Sequence, residues 1–290
     1  MIAAAQSRLQ EAGRSVFWRR LRRSRNAMIG AVLVLFVALV AVFAPLLTPH
    51  DIERTNMLFV WAPPGEGYLL GADGLGRDIF SRLIMGARVS LLVAVSVLAI
   101  TLTVGIALGM IAGYFGGWAD TLIMRTVDII FAFPELIFAI LIAAMLGPGK
   151  LTVIVALSLV WWPGIARLTR SLVLSLKNEL FVDAAIASGT RPLRILLRHF
   201  LPNIVAPIIV RASIGVGFVI MAEATLSFLG IGVQEPEPTW GGMIRDGLRT
   251  LRTDPYLALS ASAALGVTII GFNLFGDGLR DVLDPRVGER

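Results

Sequence analysis

Six long apolar stretches, at about residues 27–47, 89–111, 122–146, 152–174, 204–229 and 256–275, alternate with segments where charge, glycine and proline collect. At about 1.5 Å per helical residue, each is long enough to cross a hydrocarbon layer of about 30 Å. A backbone in lipid must satisfy its own hydrogen bonds, so the expected fold is all-α, with six transmembrane helices. The pattern divides the chain into a basic N-terminal segment (1–26), a transmembrane region (27–276) and a C-terminal tail (277–290).

Composition agrees: of 290 residues, 56% are hydrophobic and 16% charged, too apolar for a soluble domain of this length. A net charge of +6 and a pI of about 10.6 would suggest nucleic acid as partner in a soluble protein. In a membrane protein they mark cytoplasmic loops instead, and no nucleic-acid partner is expected. Residues 1–26 carry Arg8, Arg14, Arg19, Arg20, Arg22, Arg23 and Arg25 against Glu11 alone, which holds this flank in the cytoplasm. The apolar run after it is longer than the core of a signal peptide, so it is read as an uncleaved first span. Residues 48–88 and 231–255 have balanced charge and are expected outside. After four crossings the basic segment 175–203 is back in the cytoplasm, as is the C-terminus after six.

Little here supports covalent chemistry. The chain has no cysteine, and its two histidines, His50 and His199, fall on opposite sides of this topology. Gly147-Pro148-Gly149-Lys150-Leu151-Thr152 looks superficially like a phosphate loop. It fails, because Ala144 stands where the first glycine belongs and Leu151 where Ser or Thr should follow the lysine. A membrane enzyme would lack a nucleophile with its base.

Within the spans, Gly105, Gly109 and Gly113 share one helix face and suit close helix packing. Asp120, Arg125 and Asp128 are expected to pair with one another near the inner end of span 3. Only Glu135 and Glu223 are counted as intramembrane charges, and both are assigned to gating or packing. Pro134 before Glu135 predicts a helix irregularity there.

The basic gap between spans 4 and 5 holds Asp183-Ala184-Ala185-Ile186-Ala187-Ser188-Gly189. These residues predict a short helix with an acid in its first turn and Gly189 just past its end. A second short helix is expected from Pro192 to about His199, with Pro202 stopping it before the next span.

The spacing from Asp183, Ala184 and Ala185 through Gly189 to His199, Leu201 and Pro202 resembles the coupling loop of permease subunits of bacterial ATP-binding-cassette importers. Asp183 stands where that pattern has Glu. Leu70-Gly71-Ala72-Asp73-Gly74-Leu75-Gly76-Arg77-Asp78, with the segments around Glu223 and after Pro238, resembles the dipeptide, oligopeptide and nickel branch, and its second, C-type permease. Tyr256 replaces the usual Trp. The resemblance covers about residues 17–286. It implies an inner-membrane permease for peptides or related solutes, paired with a second permease, two ATPase subunits and an extracytoplasmic binding protein. Its coupling helices would seat in the ATPases, which hold ATP and Mg; no cofactor is expected in this chain. A secondary transporter or channel is the alternative, but it would need no docking loop.

Overall fold

The computed structural model describes Arg19, residues 21–65 and residues 67–283. Helix α1 (Arg25–Val42) is capped by Ser24, whose Oγ accepts from Ala27 N at 3.3 Å. After Phe43 a single turn, α2 (Ala44–Leu47), carries Pro45 in its opening turn. The long helix α3 (Ile79–Phe115) follows, then α4 (Gly117–Phe131), α5 (Glu135–Leu146) and α6 (Lys150–Leu176). Two short helices, α7 (Leu180–Ala187) and α8 (Pro192–Ile195), lead through a π turn (Leu196–Phe200) into α9 (Leu201–Phe228). Last come α10 (Trp240–Leu248) and α11 (Tyr256–Leu283).

Among the described residues five helical stretches are long and apolar enough to cross a membrane. A sixth candidate span is the pair α4 and α5, bent by 91° at the Ala132-Phe133-Pro134 break. Helix packing favours counting this pair as one. Gly105, Gly109 and Gly113 of α3 lie in order against Ile165, Ala166 and Val173 of α6, so these two helices run parallel. Between them the chain has to return across the bundle, and only α4 and α5 are available to do it.

By the same registration α1 and α11 are antiparallel: Gly30 lies over Phe275, and Gly278 over Ala27. Helices α9 and α11 are antiparallel too, with Gly217 beside Asn273 and Gly276 beside Ile214. One end of the bundle therefore collects the start of α1, the end of α11 and the α7–α8 pair. The other holds residues 48–78 and 231–255, cross-linked by charge.

Several boundaries differ from expectation. Helix α3 starts at Ile79, ten residues before the predicted span, because Asp78 caps it by accepting from Phe80 N and Ser81 N. Residues 79–88 are thus helix rather than loop. At the other end of the chain, α11 runs on to Leu283 instead of stopping near 275. Pro202 does not stop a helix, because it lies in the first turn of α9 just past the π turn, whose wider winding makes room for a ring that cannot donate. The 1–26 segment falls mostly outside the described residues, as does the tail beyond Leu283.

Candidate functional site

Three groupings of polar or exposed apolar residues stand out. The first is the α7–α8 hairpin. Asp183 sits in the first turn of α7, which begins three residues earlier than expected, at Leu180. Gly189 follows the helix with φ +70°, a left-handed conformation that favours a residue without Cβ. Its amide and that of Thr190 donate to the carbonyls of Ile186 and Ala185, closing the helix end. Pro192 opens the next helix as expected.

Val182, Ala185 and Ile195 face inward and join Phe200 and Ile204 in a buried cluster with Val173 of α6. Lys177 donates to the Tyr114 carbonyl at 2.8 Å, tying this end of α6 to the end of α3. The opposite face stays apolar and open. Leu180 is 84% exposed and Leu193 66%, with Phe181, Ile186 and Leu197 also exposed. Arg191, Arg194 and Arg198 surround them, and Ala184 and Pro202 lie exposed on the same hairpin. His199 is half-buried with its ring centroid 6.3 Å from that of Phe181, and Leu201 is half-buried beneath. An exposed apolar patch rimmed by charge is the form of a protein-binding surface.

The second grouping lies at the opposite end. Arg77 donates to Asp73 at 2.8 Å and to Glu235 at 2.6 Å; Arg82 donates to Glu235 at 2.9 Å and lies 3.4 Å from Asp73. Burial works against the Arg77 cation, but its bonds to Glu235 and the charge of Asp73 outweigh it and raise its pKa. The glycine-rich loop is thereby fastened to the segment after α9. Lys150, the lysine of the failed phosphate loop, instead pairs with Glu237 at 2.6 Å. Asp78 also accepts from Ser81 Oγ and lies 3.3 Å from His50 Nδ1.

The third grouping is inside the bundle. Glu223 is fully buried and accepts from Ser90 Oγ at 2.9 Å and Ser227 Oγ at 2.8 Å, which joins α9 to α3. Glu135 lies elsewhere. It lines a cavity of about 170 Å³ with Thr101, Trp161, Phe218 and Arg211. The structure thus separates the two acids that the sequence groups together.

Two expectations are corrected here. Asp120 and Asp128 pair with Arg170 and Arg167 of α6, not with Arg125, since α6 packs beside α4 and brings its cations within reach. The count of intramembrane charges also omits Arg211, in the middle of α9. Its signal was present, a lone arginine within an apolar run. The Arg77–Arg82–Glu235 network had no sequence signal, because its partners are more than 150 positions apart.

Fold and site together define a helical membrane protein with five or six candidate spans, an open apolar hairpin at one end and a charge-fastened cap at the other. The model of the binding-protein-dependent transport system inner membrane component matches residues 105–289, and that of the N-terminal transmembrane domain of oligopeptide transport permease C matches residues 14–64. The chain belongs to the family of inner membrane components of binding-protein-dependent transport systems. It is 42% identical over 270 residues to the dipeptide transport system permease protein DppC of Alkalihalophilus pseudofirmus, covering 93% of this chain and 89% of the relative. Identity is 40% to the glutathione transport system permease protein GsiD of Pectobacterium atrosepticum, over 93% and 90% of the two chains. The oligopeptide transport system permease protein OppC of Bacillus subtilis is 38% identical, over 92% and 88%. The resemblance drawn from residues 70–78 and 183–202 holds, including its C-type branch.

Proposed function

We propose that this chain is one of two membrane subunits of an ATP-driven importer for dipeptides, oligopeptides or related small solutes, and that the α7–α8 hairpin seats in a groove of a partner ATPase. The observation that carries this reading is the hairpin's two-sidedness. Val182, Ala185 and Ile195 anchor it to the bundle, while Leu180, Ile186, Leu193 and Leu197 project unpartnered beside three arginines. A rigid movement of the ATPases would pass through this anchored pair into α6 and α9, and the spans would exchange inward-facing and outward-facing packing. ATP and Mg belong to the ATPases, and an extracytoplasmic binding protein delivers the solute to the end that carries residues 48–78 and 231–255. On this reading both termini and the hairpin face the cytoplasm, and Glu223 holds α9 to α3 rather than binding a cation.

The solute class is inferred from what the relatives' names specify: dipeptide, oligopeptide and glutathione. Gly189→Val tests the docking role. Its φ of +70° is strained for any side chain, on the order of 1 kcal/mol or more, and worse for a β-branched one. A Cβ there meets nothing within 4 Å of this chain, so the bundle itself is spared. The expected variant is normally abundant in the membrane but loses its ATPases on detergent extraction, or keeps them without solute-stimulated hydrolysis. Retention of both would remove the docking role. Uptake by the purified complex across a panel of peptides and glutathione assigns the solute.

A further inference from the structure

We infer that the cavity between α3, α4–α5, α6 and α9 is a solute-contact site that reads the two charged ends of a zwitterionic peptide. Arg211 faces the carboxylate and Glu135 the ammonium. This rests on the peptide-import reading and places its recognition chemistry on particular residues.

Ionised side chains in the middle of apolar spans are costly unless paired or in contact with water. Asp120–Arg170 and Asp128–Arg167 meet that demand by pairing. Glu135 and Arg211 do not: among the described residues neither forms an ion pair, and both are exposed on the wall of the same cavity. They come from different helices, and Glu135 opens α5 directly after the 91° break. Two opposite charges held apart on one wall suit a ligand carrying both.

A second observation points to a polar ligand. Thr101 lines the cavity at 2% exposure, and its Oγ1 has no hydrogen-bond partner among the described residues. Hydroxyls in helices commonly return to the carbonyl four residues back, as Thr103 does to Ala99 at 2.7 Å. Thr101 makes no such bond, which leaves its hydroxyl an unsatisfied buried group beside the cavity.

The remaining wall is apolar and undemanding. Trp161 and Phe218 meet edge to face at 6.4 Å, with Leu98, Val160, Ile165 and Phe131 also in the lining. Such a surface accepts side chains of varied shape, while the two separate charges read what all linear peptides share.

The test uses the whole importer in proteoliposomes: this chain with its second membrane subunit, ATPases and binding protein. Probes are alanyl-alanine, its C-terminal amide and its N-acetyl derivative. Arg211→Gln is expected to lower alanyl-alanine uptake about tenfold or more and to abolish the preference for the free acid over the amide. Glu135→Gln should do the same for the free amine over the acetyl form, and Arg211→Lys should retain most of the preference. The inference is overturned by wild-type uptake in both glutamine variants, by an equal loss for all three probes, or by a wild type that does not discriminate. It also falls if either variant loses the second membrane subunit on purification, since the charges would then be interface partners. An assembled wild type that hydrolyses ATP with binding protein but takes up none of the probes would instead sink the peptide reading itself.

Discussion

Gly109 offers the cleanest measure of how closely the core is built. A Cβ there would lie 2.5 Å from the Ala166 carbonyl oxygen and 2.6 Å from Thr169 Cβ. The first distance is about 0.9 Å short of the 3.4 Å at which ordinary contact begins. Neither neighbour is the far end of a flexible side chain, so α3 and α6 must part, and a gap of that order forfeits about a quarter to a half of each lost dispersion contact. Overpacking of this kind costs about 1–3 kcal/mol, and a backbone obstacle belongs in the upper half of that range. Alanine returns up to about 1 kcal/mol through its better helix propensity. Gly266→Ala in α11 controls for that gain, because nothing lies within 4 Å of its Cβ. Gly109→Ala should therefore unfold about 2–3 kcal/mol more easily than Gly266→Ala in mixed-micelle denaturation followed by tryptophan fluorescence. Equal stability of the two variants would refute the claim that the glycine face sets the distance between α3 and α6.

The end-to-end arrangement predicts labelling. In a chain with no cysteine, Thr55→Cys should react with an impermeant thiol reagent on intact cells while Asn178→Cys stays silent, and the reverse pattern would overturn the topology. Glu235→Ala leaves the Arg82 guanidinium 3% exposed with the Ile52 carbonyl and, as its one remaining anion, Asp73, which it shares with Arg77. Because the Glu235 carboxylate is 46% exposed, the loss expected for a fully buried pair shrinks to about 1–2 kcal/mol, and faster protease cleavage within residues 52–78 would report it. Removing both hydroxyls in Ser90→Ala with Ser227→Ala strips Glu223 of its donors and should destabilise by roughly 1–3 kcal/mol per bond lost, read as a lower melting temperature in detergent. Asp254 is buried, which raises its carboxyl pKa, although Oδ1 accepts from Tyr256 N. Asp254→Asn keeps that acceptor and removes a disfavoured charge, so it should stabilise at neutral pH. The gain should vanish as pH falls through the raised pKa and the wild-type carboxyl becomes neutral; a constant difference across pH would exclude the charge as cause.

The sequence by itself determined the spans, because membrane crossing depends on the length and apolarity of a contiguous run. It also placed the α7 helix, Gly189 and the Pro192 start, because helix ends are set by local chemistry within a few residues. The Gly105–Gly109–Gly113 face was legible for the same reason, since 3.6-residue periodicity puts the three on one side. Tertiary structure decided what those faces meet. That Asp120 reaches Arg170 rather than Arg125 follows from α6 lying beside α4, which no local pattern encodes. Glu135 and Glu223 read alike as acids in apolar runs. Burial between α3 and α9 made one a bonded joint, and the other, just past the 91° break, lines a cavity that also holds an arginine. The Asp73–Arg77–Arg82–Glu235 cap was invisible for the same reason, because its charges become neighbours only when the start of α3 and the segment after α9 are brought to one end of the bundle.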